Sequence, residues 1–365
     1  MQLENINVSN IVNLYSNDIL IDEILLKSKH YIEDIKHIGS AVGSQKVEYL
    51  TCLSRDVSSL KSDYHTEDIR TLFISPNDGR IEYLYLLSKN EKSLLNPYHH
   101  LNDMNLILMA KSVAIAKCLY KLAIFEKSLE TNFHKENMEL IANAVSDERA
   151  LYILEASLNV NCLNNEKIIR SISSAKTDII AKHMKELVCD DEFNKSSYYD
   201  QDLKLLQNSK TDIISECLKD VALSTESIDS PYHEEDMQLI ANAKSDVIAS
   251  CLADVAMNAD SLASPYHKED MQLIANAKSD AIAMILSEIA TSEKSLNCGY
   301  HGNHLKQMKL IAESKYEDVA ICYGLLSCSE DEECYNEYLK YVDTTYDKNN
   351  ETIKHKVKPR KVVKK

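Results

Sequence analysis

Tryptophan is absent from this chain of 365 residues, and glycine and proline number only six and five. So few turn-formers, with no run that alternates apolar and polar residues like a strand, argue against a β architecture. The glycines do not cluster ahead of a lysine or a helix start, so no phosphate-cradling loop or dinucleotide fingerprint is present, and no Gly-x-Ser-x-Gly elbow marks a hydrolase. No stretch approaches 18 uninterrupted apolar residues, and residues 1–18 lack a basic region leading into an apolar one, so neither a membrane span nor a secretory leader is expected. These absences leave the expectation of a non-enzymatic, cytoplasmic protein.

What is present is repetition. The segment from Ser230 to Asp246 returns at Ser264 to Asp280 with one change, Glu234 becoming Lys268. That spacing of 34 residues marks a stacked array. An apolar residue early in the first helix of each repeat recurs at Ile35, Ile69, Met104, Met138, Ile169, Leu203, Met237, Met271 and Met308, at intervals of 34, 35, 34, 31, 34, 34, 34 and 37. An aromatic-histidine signature precedes it at Tyr64-His65, Tyr98-His99, Phe133-His134, Tyr232-His233, Tyr266-His267 and Tyr300-His301, and is missing where the interval drops to 31. Four residues before the aromatic stands Leu60, Leu94, Leu129, Ile228, Leu262 or Leu296, each following a serine.

Within one repeat the periodicity is helical twice over. Met237, Ile240, Ala241 and Lys244, widened by Leu239 and Ala243, form one stripe, while Val247, Ile248, Cys251, Leu252, Val255 and Ala256 form a second. Ser245 reads as the N-cap of the second helix, and Pro231 and Pro265 sit just before the first, where a missing N–H costs nothing. In the second repeat Ser75-Pro76-Asn77-Asp78-Gly79 replaces the usual turn, so the first helix should stop by Ile74. The expected fold is all-α: a right-handed α-solenoid of about nine helix-turn-helix repeats of ~34 residues. The array spans 29–328, with capping helices at 1–28 and 329–346 and a basic, disordered tail at 347–365.

Ten cysteines become less conspicuous once placed on the repeat. Cys118, Cys217, Cys251 and Cys322 occupy one second-helix position where other repeats carry Tyr49, Tyr83, Tyr152, His183 and Ile285, a packing site that accepts a thiol in a reducing compartment. The formal charge is −16, yet the stretch after Glu351 holds seven lysines and arginines and no acid, so the rest of the chain is more acidic still. Such a body repels duplex nucleic acid and matches a basic partner.

The recurring Tyr-His-x-Glu-Asp invites chemistry, since an imidazole near carboxylates can act as a base, a ligand or a pH switch. Its multiplicity favours packing instead: a buried aromatic tethering the turn, followed by an imidazole hydrogen-bonded near a helix start. Were the rings to face the concave surface, Tyr64, His65, Tyr98, His99, His134, Tyr232, His233, Tyr266, His267 and Tyr300 would form a ladder contacting a partner at regular intervals. The one unrepeated constellation is Cys298, His301 and His304, which offers three zinc ligands, with Cys328 or Cys334 as a fourth. No other cofactor is implied.

With Pro265 set at the late proline of a tetratricopeptide repeat, small residues fall on Ala241 and Ala253, as they do in that family, although its early Trp and mid-helix Tyr fall on Met237 and Lys244. The chain thus resembles the helical-hairpin class that includes tetratricopeptide, Sel1-like and HEAT arrays. The resemblance implies a scaffold holding a protein or peptide along a concave face. A basic or extended segment in an acidic groove is the leading expectation. A metal-supported or ligand-sensing protein using Cys298, His301 and His304, or an effector mimicking host repeat proteins, are the alternatives.

Overall fold

The computed structural model describes residues 28–324 apart from 97, 164, 298–303, 316, 318, 319 and 322. Apart from Ser28, the expected cap at 1–28 lies outside the described residues, as do the cap at 329–346, the tail at 347–365, and Cys298, Tyr300, His301, Cys322, Cys328 and Cys334. The described residues contain helices and no strand, and fall into two compact bodies, one ending at Leu223 and the other beginning at Ser224.

In the N-terminal body, first helices run over Tyr31–Ser40, His65–Ile74, His100–Leu108, His134–Ala142, Glu166–Ser173 and Tyr199–Gln207. Second helices alternate with them over Ser44–Leu53, Arg80–Ser88, Val113–Ala123, Asp147–Leu158, Asp178–Val188 and Asp212–Leu223. The C-terminal body repeats the order: His233–Ala241, Asp246–Ala256, His267–Ala275, Asp280–Ala290 and His304–Glu313. Within each body a second helix packs on its own first helix and on the second helix of the next repeat, the sequential stacking of an α-solenoid.

The sequence pattern explains that packing. Ser112, Ser146, Thr177, Ser245 and Ser279 cap the second helices by accepting a backbone N–H from the third residue on, so Ser245 has the role expected of it. Four residues after each of these caps lies Ala116, Ala150, Ala181, Ala249 or Ala283, and seven after it Leu119, Ile153, Met184, Leu252 or Leu286, all with 0 % exposure. Small residues let adjacent helices approach, and the larger ones fill the seam.

Three features depart from the two-helix reading. The segment carrying Leu60, Leu94, Leu129, Ile228, Leu262 and Leu296 folds as a third, short helix, over Val57–Lys61, Glu91–Leu94, Glu126–Leu129, Thr225–Ile228, Ala259–Leu262 and Glu293–Asn297. Lys244 lies beyond the end of its first helix, exposed in the turn. In the second repeat the first helix does stop at Ile74, and the longer turn delays the start of the second helix to Arg80. The register is kept: Tyr83 precedes the buried Leu84 as Tyr49 precedes Leu50 and Cys118 precedes Leu119. Each of the two tyrosines stacks on a tyrosine of the next repeat, Tyr49 on Tyr85 with ring centroids 4.8 Å apart and Tyr83 on Tyr120 at 5.7 Å.

The seam sets the expected response to mutation. Leu286→Ala should cost about 2–5 kcal/mol by opening a cavity, and Ala283→Leu about 1–3 kcal/mol by overpacking. Urea denaturation reads both as lowered midpoints, and a change under about 0.5 kcal/mol for either, the range of ordinary surface substitutions, would contradict this picture of the seam.

Candidate functional site

The signature histidines open the first helices and are buried. His65, His100, His134, His233 and His267 have 0 % exposure and His304 has 5 %. Each ring contacts a serine of the preceding short helix through Nδ1: Ser59, Ser93 and Ser128 at 2.8 Å, Ser227 and Ser295 at 2.9 Å, and Ser261 at 3.0 Å. On the opposite side Nε2 donates to a carboxylate of the preceding repeat. His65 reaches Asp34, His100 reaches Asp68 and His134 reaches Asp103, each at 3.0 Å. In the C-terminal body His267 reaches Asp236 at 2.9 Å and His304 reaches Asp270 at 2.8 Å. With Nε2–H committed to the carboxylate, a neutral ring accepts the serine hydroxyl at Nδ1. Burial raises the carboxyls of Asp68, Asp236 and Asp270 above the usual range, opposed by the hydrogen bonds from their histidines.

A helix of this kind carries both halves of a latch. Its histidine faces backward, and an aspartate three residues later faces forward to the next histidine. Aromatic neighbours close the contact: Tyr64 lies 4.9 Å from His100, Tyr232 4.8 Å from His267 and Tyr266 5.2 Å from His304, between ring centroids. These tyrosines are half-buried rather than fully buried.

The register differs from the sequence reading in two places. The ladder imidazole of the third repeat is His100, and His99 stands where Tyr64 does, its ring 4.5 Å from His134. Tyr98 is displaced outward, 89 % exposed. In the last repeat His304, not His301, occupies the ladder position, which accounts for the interval of 37. His304 bonds Ser295 and Asp270 through its two ring nitrogens, and no three metal-binding side chains cluster among the described residues, while Cys298 and His301 lie outside them. Nor do the buried histidines offer a partner surface.

A second set of contacts was missed in the sequence. Lys111 donates to the carbonyls of Asn143 and Ala144, Lys176 to those of Asn208 and Ser209, and Lys278 to those of Glu313 and Ser314. Lys46, Arg80 and Arg149 reach equivalent carbonyls from nearby positions. Each cation thus caps the C-terminal end of the next repeat's first helix, where unpaired carbonyls and the helix dipole attract it. The lysine directly before the N-cap serine or threonine was the available signal.

Chemically, serine, imidazole and carboxylate resemble the parts of a nucleophilic triad, but in the wrong order. The serine sits on Nδ1 and the carboxylate on Nε2, the reverse of a hydrolase triad, and a hydroxyl with 0–3 % exposure meets no substrate. The arrangement instead satisfies buried polar groups across a repeat boundary. In the N-terminal body it is missing at two successive boundaries: Asn137 replaces the aspartate and Asn165 opens the shortened repeat, and the repeat after that opens on Tyr199 with Ile168 at the aspartate position before it. Both side-chain amide atoms of Asn137 are buried without a partner. No protein-family model matches the chain, and no relative was found among curated proteins.

Two outcomes follow. His267→Ala leaves the Asp236 carboxylate buried and unpaired and should cost about 3–5 kcal/mol, whereas His267→Leu combined with Asp236→Leu should recover most of it; equal losses from the single and double variants would show that packing alone is lost. Burial also holds His30 and His99 below the usual imidazole value, aided by the facing His65 and His134 and opposed by Asp34 and Asp103. The folded protein then binds fewer protons there than the unfolded chain. This contribution is complete above about pH 6.5 and lost as pH falls below it. His99→Phe, copying Phe133, should flatten the decline of melting temperature between about pH 7 and pH 5.5; a slope identical to wild type would count against this assignment.

Proposed function

We propose that this chain is a non-enzymatic interaction scaffold: a right-handed, tetratricopeptide-like superhelix of about nine repeats that holds a basic or extended segment of a partner protein, in a reducing, cytoplasmic setting. What supports the reading is the division of labour among side chains. The residues common to the repeats are consumed between repeats, and the positions left outward on the first helices carry Glu33, Glu67, Asp200, Glu234 and Glu269. Lys135 and Lys268 interrupt the acids, so charge along the surface differs from repeat to repeat. An excess of acid on a long surface attracts cations over about a Debye length and gives register through pattern. In the C-terminal body an open cleft of 300 Å³ between successive first helices is lined by Lys268, Glu269, Gln272, Leu273, Asn276 and Lys309, room for side chains of an extended peptide. Cys52, Cys118, Cys162, Cys189 and Cys251 carry free thiols, in keeping with a reducing compartment. No described helix is long and apolar enough to cross a membrane.

The test is titration of a fluorescent lysine- and arginine-rich peptide, with a sequence-matched acidic peptide as control. The basic peptide should bind and weaken steadily with added salt, and Glu234→Lys with Glu269→Lys should weaken it by about tenfold, the equivalent of 1.4 kcal/mol. Binding indifferent to salt and to both substitutions would remove the acidic surface as the cause. Affinity capture of partners would then identify what the surface holds.

A further inference from the structure

The shortened repeat, where the histidine ladder is broken, brings two cysteines together. Its turn at 159–163 takes the place of the serine- and histidine-bearing segment of other repeats. Cys162, in that turn, has 0 % exposure, and its Sγ donates to the Val188 carbonyl at 3.0 Å. Val188 ends the helix Asp178–Val188, and the next residue is Cys189, half-buried. Bonded to the carbonyl directly before Cys189, Cys162 lies beside that residue, near enough for each thiol to shift the other's ionisation, and the Asn159 side chain lies alongside. The same two turns are tied again by Asn161 Nδ2 donating to Asp191 Oδ1 at 2.8 Å, while Asn194 Nδ2 holds the Val188 carbonyl at 3.0 Å. Two sulfurs far apart in sequence are thus fixed side by side by a hydrogen-bonded frame.

Their surroundings differ from those of the other cysteines. Cys118 and Cys251 sit alone in the packing position of second helices, where burial pushes both thiols up, Cys251 to about 11. Cys189 is instead held below the usual thiol value, first by the Cys162 thiol and then by the Lys185 ammonium and the Asn159 amide, against its own burial. Cys162 is driven up by Cys189 and by burial. An accessible thiol that favours the thiolate beside a buried one that keeps its proton is the pairing of an attacking and a resolving cysteine.

We propose that Cys189 and Cys162 form a thiol–disulfide exchange site that reacts with low-molecular-weight disulfides and closes to an intramolecular disulfide. The Cys189 thiolate attacks one sulfur of the small disulfide, whose S–S bond breaks to release a thiolate that takes up a proton. Cys162 then gives its proton to solvent and attacks the Cys189 sulfur, forming the Cys162–Cys189 bond and expelling the second small thiol. Two protein thiols are oxidised and one disulfide is reduced to two thiols, so electrons balance. The bond bridges the repeat that lacks the histidine latch and staples its two turns.

The probe is oxidised glutathione added to the full-length protein, followed by alkylation and peptide mapping. Peptides containing Cys162 and Cys189 should appear joined, with Cys118 and Cys251 alkylated, and excess reduced glutathione should reverse the link. Cys162→Ser should trap Cys189 as a stable mixed disulfide with glutathione. Cys189→Ser should leave Cys162 unreacted. In the reduced protein iodoacetamide should modify Cys189 at least about tenfold faster than Cys251. The oxidised wild type should also melt at a higher temperature than the reduced protein. A wild-type protein that keeps glutathione on Cys189 without cross-linking, that leaves both thiols free while Cys52 reacts, or that melts no higher once linked, would overturn the proposal; the first two outcomes need no variant to fold.

Discussion

A buried imidazole donating to a buried carboxylate one repeat away is the contact on which the stacking depends. Helix seams lined by Ala, Leu, Ile and Met are adhesive but tolerant, and volume-conserving changes cost them little. A slip of one helical turn could preserve much of that apolar contact. It would, however, strand His65 from Asp34 or His267 from Asp236, leaving groups with 0–2 % exposure unpaired, at a cost no seam of small residues offsets. Apolar burial supplies the drive, and the polar latch supplies the register.

Because every such helix carries a backward histidine and a forward aspartate, repeats of this type are interchangeable parts. The near-copy of Ser230 to Asp246 at Ser264 to Asp280 illustrates the consequence: a duplicated repeat brings both halves of the latch and both ends of the lysine cap. Where one half is lost, the neighbour changes too. Asn137 in place of aspartate faces a repeat that starts at Asn165 without a histidine, and that repeat is joined to its successor by Cys162, Asn161 and their partners instead. Arg149 adds a further tie, bonding Asp178 at 2.9 Å and three carbonyls of the next repeat. The surface left over after these internal duties is what the chain can offer a partner, and it is acidic and uneven along its length.

Much of the local structure was legible in the residues. The 34-residue interval, the Ser245 cap and the stop at Ile74 each depend on chemistry within a few positions of the chain, and each appears as read. The ladder was half legible: the serine six residues before most histidines and the aspartate three after them recur visibly, but recurrence does not say which copy bonds which. Single-residue insertions misled it further, since Tyr98-His99 matches the signature in letters while the backbone delivers His100 to the buried site.

By itself, then, the sequence determined that the described residues are helical, at what interval the pattern recurs and where most helices start, because capping, periodicity and turn chemistry act over a single helical turn. Only the tertiary structure decided that the histidines are glue and not a contact surface, that lysines close the helices of their neighbours, and that Cys162 meets Cys189. Those pairings join residues about one repeat apart in sequence, and their energy exists only once stacking has removed the water that would otherwise satisfy each partner alone.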